Sequence, residues 1–294
     1  MKEKTSIADR YLLQHFYHSC AIANRHSLQC TGIDNLEVDY SWIDVILSGE
    51  NKCGKCKHIA DHQGFYYGKG EYSSSFQRQE FVSVMNIRSQ EEFEQVCKQI
   101  NSAVKGIILR GRMTDVSPLA RFSRLEFVCL DVSGINKLWD MSCNPGLSIL
   151  TVYTNRRLTT LDGLEGANNL ECIQLLTATS EVSTIKVQSF FPVAKLTGLK
   201  EVIISGTEPL DHNIDHLIDL PALEYLWISP NLYPMESYAK FEARKFKLAD
   251  EYGIYDETSC GDIFPYGKGK RIMTSQEQKK RFLTEYHSLM KLFE

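Results

Sequence analysis

Between Val104 and Asn231 the chain repeats one short apolar pattern: an apolar residue, two of any kind, an apolar, one of any kind, an apolar. It runs Val104–Ile107–Leu109, Leu125–Val128–Leu130, Leu147–Leu150–Val152, Leu170–Ile173–Leu175, Leu199–Val202–Ile204 and Leu223–Leu226–Ile228. Successive first positions lie 21, 22, 23, 29 and 24 residues apart. The period of two at the end of each unit predicts a short strand with one face inward. The segments between carry apolar residues at wider spacing: Leu158, Leu161, Leu164; Phe191, Val193, Leu196; and Ile214, Leu217, Leu220. Spacing by threes suits 3₁₀-like turns, whose side chains eclipse at that interval. A coil this thin has no core of its own, so neighbouring coils must stack to close one.

These six triplets resemble the leucine-rich repeat family, whose repeats run 20–29 residues. The resemblance covers roughly 130 of the 294 residues, taking the span of the motif itself. It implies an α/β solenoid of about six repeats with a parallel sheet. The family places Asn or Cys just after each strand. Here Asn155 and Asn231 hold that place, while Arg112, Ser133, Ala178 and Thr207 depart from it. The resemblance therefore implies an incomplete asparagine ladder.

The flanks divide the chain into three parts. Residues 1–88 are expected to form a small α+β module, with a helix carrying Ile7, Tyr11, Leu12 and Phe16 on one face. Gly64–Tyr72 and Phe81–Ile87 are its expected strands. Ser89-Gln-Glu-Glu92 is a capping box opening a helix with Phe93, Val96, Cys97 and Ile100, an N-terminal cap for the repeats spanning 89–231. Residues 232–294 are expected to form a helical C-terminal cap. Its first helix would run from Tyr238 to Tyr252, and Thr274-Ser-Gln-Glu277 would cap the last.

Composition changes this picture little. With 43% apolar and 24% charged residues the chain is ordinary for a globular protein. A net charge of −4 offers no basic field for nucleic acid or an anionic membrane. The first residues lack a continuous apolar core of the secretory kind, and nine cysteines are an odd number mostly set singly. Both features lead us to expect a cytoplasmic protein with reduced thiols.

Candidate chemistry is sparse. Cys53 and Cys56, with His58 and His62 behind them, offer thiolates and imidazoles for a tetrahedral zinc. A second CxxC is missing, which favours a polar loop with incidental thiols and no cofactor. Asp211, His212, Asp215 and His216 match no metal motif and are expected on a solvated surface. Tyr266-Gly-Lys-Gly lacks the spacing of a phosphate loop, and the same four residues recur at Tyr67–Gly70.

No catalytic constellation stands out, so the expected activity is non-catalytic binding of a protein partner, without nucleic acid or membrane. The leucine-rich repeat resemblance implies that residues flanking each strand's core positions face a concave surface. These are Ile108, Arg110, Phe127, Cys129, Asp131, Ile149, Thr151, Tyr153, Gln174, Ile203, Tyr225 and Trp227. Such a face is rich in apolar and aromatic side chains, which marks either a partner surface or one covered by a terminal segment of the chain. Stand-alone repeat proteins of this size resemble some bacterial immunity or effector-antagonist proteins. The alternative is a zinc-dependent enzyme or nucleic-acid-binding module around the CxxC, targeted by the repeats.

The loop reading of the CxxC makes a direct prediction. Replacing Cys53→Ser together with Cys56→Ser should leave the melting transition in place, and metal analysis of the purified protein should find no stoichiometric zinc. A zinc per chain with an unfolded double variant would establish a structural site, since metal binding in a small module is folding energy.

Overall fold

The computed structural model describes residues 63–73, 76–154, 156–177, 184–229, 231–244, 255–257, 263–271 and 273–294. Hydrogen bonding orders nine strands into one sheet. In chain order they are β1 (Gln63–Gly68), β2 (Glu71–Tyr72), β3 (Phe81–Ile87), β4 (Gly106–Arg112), β5 (Phe127–Ser133), β6 (Ile149–Thr154), β7 (Cys172–Thr177), β9 (Glu201–Ile204) and β11 (Tyr225–Ile228). The order across the sheet is β11-β9-β7-β6-β5-β4-β3-β1-β2. The pairs β1–β3, β3–β4, β4–β5, β7–β9 and β9–β11 are parallel. The six repeat strands thus follow one another as their periodicity predicts. Strands β1 and β3, expected in a separate module, instead extend the same sheet beyond β4. No triplet precedes them, so the repeat spacing could not announce this.

By packing the chain divides into two compact units, Met1–Ser133 with Cys143–Thr151, and Gly134–Ser142 with Val152–Glu294.

In the first unit the register stacks like on like. Val82, Ile107 and Val128 form one row, and Val84, Leu109 and Leu130 the next, all at most 1% exposed. The return segment explains what covers them. Val116, Leu119 and Phe122 precede Leu125 by nine, six and three residues, and all are buried. Each closes a three-residue turn: Leu119 N–H donates to Val116, Phe122 to Leu119, and Leu125 to Phe122. In the next coil Asn144 takes the third place and is 1% exposed. Its Nδ2 donates to the carbonyls of Leu119 at 3.1 Å and Phe122 at 2.8 Å. A buried amide thus gives a second donor to two carbonyls that each already accept one turn hydrogen bond, and finds partners for its own N–H groups. This buried asparagine lies three residues before a strand triplet, whereas Asn155, expected just after a strand, lies outside the described residues.

Two residues before the first of these rows lies a row of charges. In-register stacking sets like positions about 4.8 Å apart, so neighbouring charges must alternate in sign. Lys105 Nζ reaches Glu80 Oε2 at 2.8 Å, and Lys200 Nζ in the second unit reaches Glu171 Oε1 at 3.4 Å.

Helix α1 (Gln90–Gln99) buries Phe93, Val96 and Cys97 beside the Ser117–Arg121 turn. Ser89 Oγ accepts from Glu92 N–H at 3.2 Å, as its capping position predicts. The reciprocal half of the capping box is diverted. Glu92 Oε2 accepts from Arg88 N–H at 2.8 Å, and Oε1 takes the Tyr66 hydroxyl at 2.7 Å and Lys69 N–H at 2.9 Å. Burial pushes this carboxyl up, but these donors outweigh it and hold its pKa below the ordinary value. The contact accounts for the first YGKG. Gly68, Lys69 and Gly70 all have positive φ, and this turns the Lys69 amide onto Glu92.

The second unit repeats the −9, −6, −3 rule with Leu161, Leu164, Ala167 before Leu170, and Ile214, Leu217, Leu220 before Leu223. Before Leu199 the inward residues are Phe190, Val193 and Leu196, a strict spacing of three. Phe191, expected inside, is 52% exposed, with Lys195 Nζ 4.8 Å from its ring centre. The short helix α2 (Phe191–Ala194) begins there, and its N-cap Phe190 is buried while Phe191 is exposed. Successive turns are also tied by backbone, and Met141 N–H donates to Gly163 at 3.1 Å. Gly163 has φ 101°, and a Cβ there would lie 2.2 Å from the Trp139 carbonyl oxygen, so no other residue fits. The 29-residue interval before Leu199 accommodates an added strand, β8 (Ile185–Val187). It pairs in parallel with β10 (Thr207–Pro209) in a second small sheet.

Helix α3 (Met235–Ala243) buries Tyr238, Ala239 and Phe241, and α4 (Gln276–Phe293) packs on it through Phe282 and Tyr286. A two-stranded piece, β12 (Tyr255–Glu257) with β13 (Ile263–Pro265), lies between them in sequence. The α4 cap is Ser275, whose Oγ accepts from Gln278 N–H at 3.2 Å. The capping position is one residue later than Thr274, because Gln276 rather than Ser275 opens the helix. The second YGKG makes the same kind of turn as the first. Gly267 and Gly269 have positive φ, and Lys268 N–H donates to the Tyr233 carbonyl at 2.6 Å. Lys268 Nζ pairs with the buried Glu208 carboxylate.

Leu150 is fully buried in the core row of β6. Leu150→Ala should cost about 2–5 kcal/mol in a denaturant melt, as truncation of a packed leucine does. A loss under about 1 kcal/mol would mean that the row is not closed.

Candidate functional site

The side chains between the core rows point away from the return segments, onto the sheet's inner face. In the first unit Phe127 and Ile149 share one row, which Gly106 joins. Ser83, Ile108 and Cys129 are aligned in the next, and Thr151 occupies the matching place on β6. These side chains are not open to water: Ile108 is 3% exposed, Phe127 and Cys129 1%, Ile149 0% and Thr151 1%. Alternation along the strand predicts the direction of these side chains, and their burial is decided by what lies over them. Arg110 and Asp131, partners in the register, are half-buried and pair with each other, Nε to Oδ2 at 3.1 Å.

In the second unit the aligned rows are Cys172, Glu201, Tyr225 and Gln174, Ile203, Trp227. Gln174 and Ile203 are 1% exposed, whereas Tyr225, Trp227 and Tyr153 are half-buried. The face therefore opens on its last strand, β11.

Electrostatics separate these residues further. Burial pushes the Cys129 thiol well above its usual range and Cys97 up to about 12, so both thiols are packing groups and not thiolates. Burial also raises Asp131 despite the nearby Arg110. Glu201, beside Tyr225 in its row, is pushed up to about 7, first by burial and then by the Glu224 charge. Spacing alone could not find Glu201, because a charged residue inside the pattern looks like any surface position.

The other candidates fall elsewhere. Cys53, Cys56, His58 and His62 lie outside the described residues. Among the described residues no group of three or more His, Cys, Asp or Glu is placed to hold a metal ion. His212 Nδ1 lies 3.5 Å from Glu208 Oε1, His216 packs edge-on to Phe191, and Asp215 pairs with Lys240. The histidine pair thus serves separate surface contacts. No helix among the described residues is long and apolar enough to cross a membrane.

No family model matches the sequence, and no curated protein does either. Among the solved structures similar to this chain are two internalins of Listeria monocytogenes. An internalin is 18% identical with a TM-score of 0.41, covering 56% of this chain and 46% of its own. An internalin C2 is 15% identical with a TM-score of 0.29, covering 49% of this chain and 67% of its own. The chain spans less than half the length of the first of these.

The raised Glu201 has a consequence for stability. Its folded pKa of about 7 lies above the ordinary 4.5, so the native state holds a proton that the unfolded chain releases. The stability gained by protonation is complete below about 4.5 and is lost as pH rises through about 7. Melting temperatures measured from pH 5 to pH 8 should fall. In Glu201→Gln that part of the slope should vanish, leaving the variant the more stable at pH 8. An unchanged slope would place the titration elsewhere.

Proposed function

We propose that this chain is a leucine-rich repeat protein without catalytic activity that holds a protein partner on the inner face of its sheet. The observation that carries this reading is the contrast within one row. Gln174 and Ile203 are buried, while Trp227 beside them keeps part of its indole open on the terminal strand. Tyr225 stands next to it in the adjoining row. Large rigid aromatics bordering a desolvated apolar surface are the side chains in which binding energy concentrates. They lose little conformational freedom on contact and keep a polar tip for a hydrogen bond.

On this reading the ten inner-face residues differ in role. Tyr225, Trp227 and Tyr153 touch the partner first. Gln174 and Ile203 form the packed row that Trp227 ends, while Ile108, Phe127 and Ile149 belong to the buried rows of the first unit. Arg110 and Asp131 neutralise each other in the register and set the polarity of their row.

The test uses Trp227→Ala. With the full chain as bait in native lysate, the protein captured by wild type should be lost, a weakening of at least about 2 kcal/mol. The melting temperature should barely move. A lowered melting temperature with capture unchanged would mean that the indole is a packing residue, and the reading would fall.

A further inference from the structure

We infer that the open end of the inner face takes a cationic side chain of its partner, an arginine set against Glu201 and stacked on Tyr225. This rests on the reading that Tyr225 and Trp227 meet a protein partner, and it names the group that they meet. The register supplies the first observation. Glu201 lies between Cys172 and Tyr225, two residues beyond the first apolar position of its triplet. The same place in the other five repeats is held by Gly106, Phe127, Ile149, Cys172 and Tyr225, so a carboxylate stands there only once.

A carboxylate drawn into a half-buried row ordinarily finds a partner, because removing a charge from water is costly. Among the described residues the Glu201 carboxylate has neither a hydrogen bond nor a cation. Lys200, its neighbour in the chain, is committed to Glu171 at 3.4 Å. The other groups facing it are the buried Cys172 on β7, and Tyr225 with the exposed Glu224 on β11. Glu224 adds a second negative charge to the neighbourhood. Burial and then that charge push the Glu201 carboxyl up to about 7. An approaching cation would reverse this shift.

The ring beside Glu201 decides the kind of cation. Tyr225 is its register partner and keeps part of its surface open, with Trp227 two residues further on the same face. A guanidinium is planar, stacks on aromatic rings and gives a carboxylate two N–H donors at once. An ammonium is compact and strongly hydrated, so leaving water costs it more.

The probe is N-acetyl-arginine methylamide, titrated into the full chain while the Trp227 indole N–H resonance is followed. Loss of that resonance in Trp227→Phe assigns it. At pH 8 the resonance should move saturably, with a dissociation constant of about 1–10 mM. The citrulline analogue, of the same shape without the charge, should leave it in place, and the lysine analogue should bind less tightly. At pH 5.5 affinity for the arginine probe should fall at least about tenfold, because Glu201 then holds a proton that the cation must displace. Glu201→Gln should abolish the response at both pH values while its melt shows the fold retained. Glu224→Gln should keep the response and move its pH midpoint down. An equal response to citrulline, a response that survives Glu201→Gln, one that strengthens as pH falls, or none up to about 50 mM would each overturn the inference. Capture lost in Trp227→Ala yet kept in Glu201→Gln would leave the proposed function standing and remove this arginine site. A Glu201-dependent arginine response, together with a Trp227→Ala that melts lower and captures as before, would sink the proposed function alone.

Discussion

In-register stacking of coils too thin to stand alone is the constraint from which the rest of this structure follows. Each coil contributes three inward turn residues and three inward strand residues, and none of them is shielded within its own coil. Val128 is buried because Ile107 lies on one side of it and the Leu119 turn closes the layer. The same demand explains the buried Asn144 amide, which caps carbonyls of the preceding coil, and the forced glycine at 163, where two turns meet too closely for a Cβ. It also explains the alternating charges of Glu80 with Lys105 and Glu171 with Lys200, since stacking brings every position against its own counterpart.

The ends of such an array need different chemistry, because an end coil has a neighbour on one side only. At the C-terminal side tyrosine hydroxyls do part of this work. Tyr233 donates to the Thr207 carbonyl and Tyr238 to the Ser229 carbonyl, so aromatic bulk and backbone satisfaction come from the same side chains. Lys268 and Lys240 add ion pairs to Glu208 and Asp215. The two YGKG turns are the same device used twice. A pair of glycines with positive φ turns a lysine amide onto an acceptor, a carboxylate at one place and a carbonyl at the other.

Function follows from what stacking does not use. Every second strand residue points away from the return layer, and the register gathers those residues into rows. Where the rows are buried they behave as a second core, and their cysteines become inert. Where a row opens, at Tyr225 and Trp227, the same geometry presents rigid aromatics at an edge. Glu201 belongs to this boundary, because burial and a neighbouring carboxylate raise its pKa to about 7.

The sequence by itself determined the repeat strands, their order and which of their residues face the core. Those features depend on a spacing that recurs in one register, and Val128, Leu150 and Ile173 lie where the triplets put them. It determined the Ser89 cap as well, which depends on residues three apart. Before Leu199 the strict spacing of three selects Phe190, which is buried, over Phe191, which is exposed. Only tertiary structure drew Glu92 away from its own helix end to Tyr66 and Lys69, contacts more than twenty residues distant. It also extended the sheet through β1 and β3, which pair by backbone hydrogen bonds that any residue can make. Finally, it decided the burial of Ile108, Phe127 and Ile149. Alternation fixes the direction of a side chain, but its burial is a property of the packed structure.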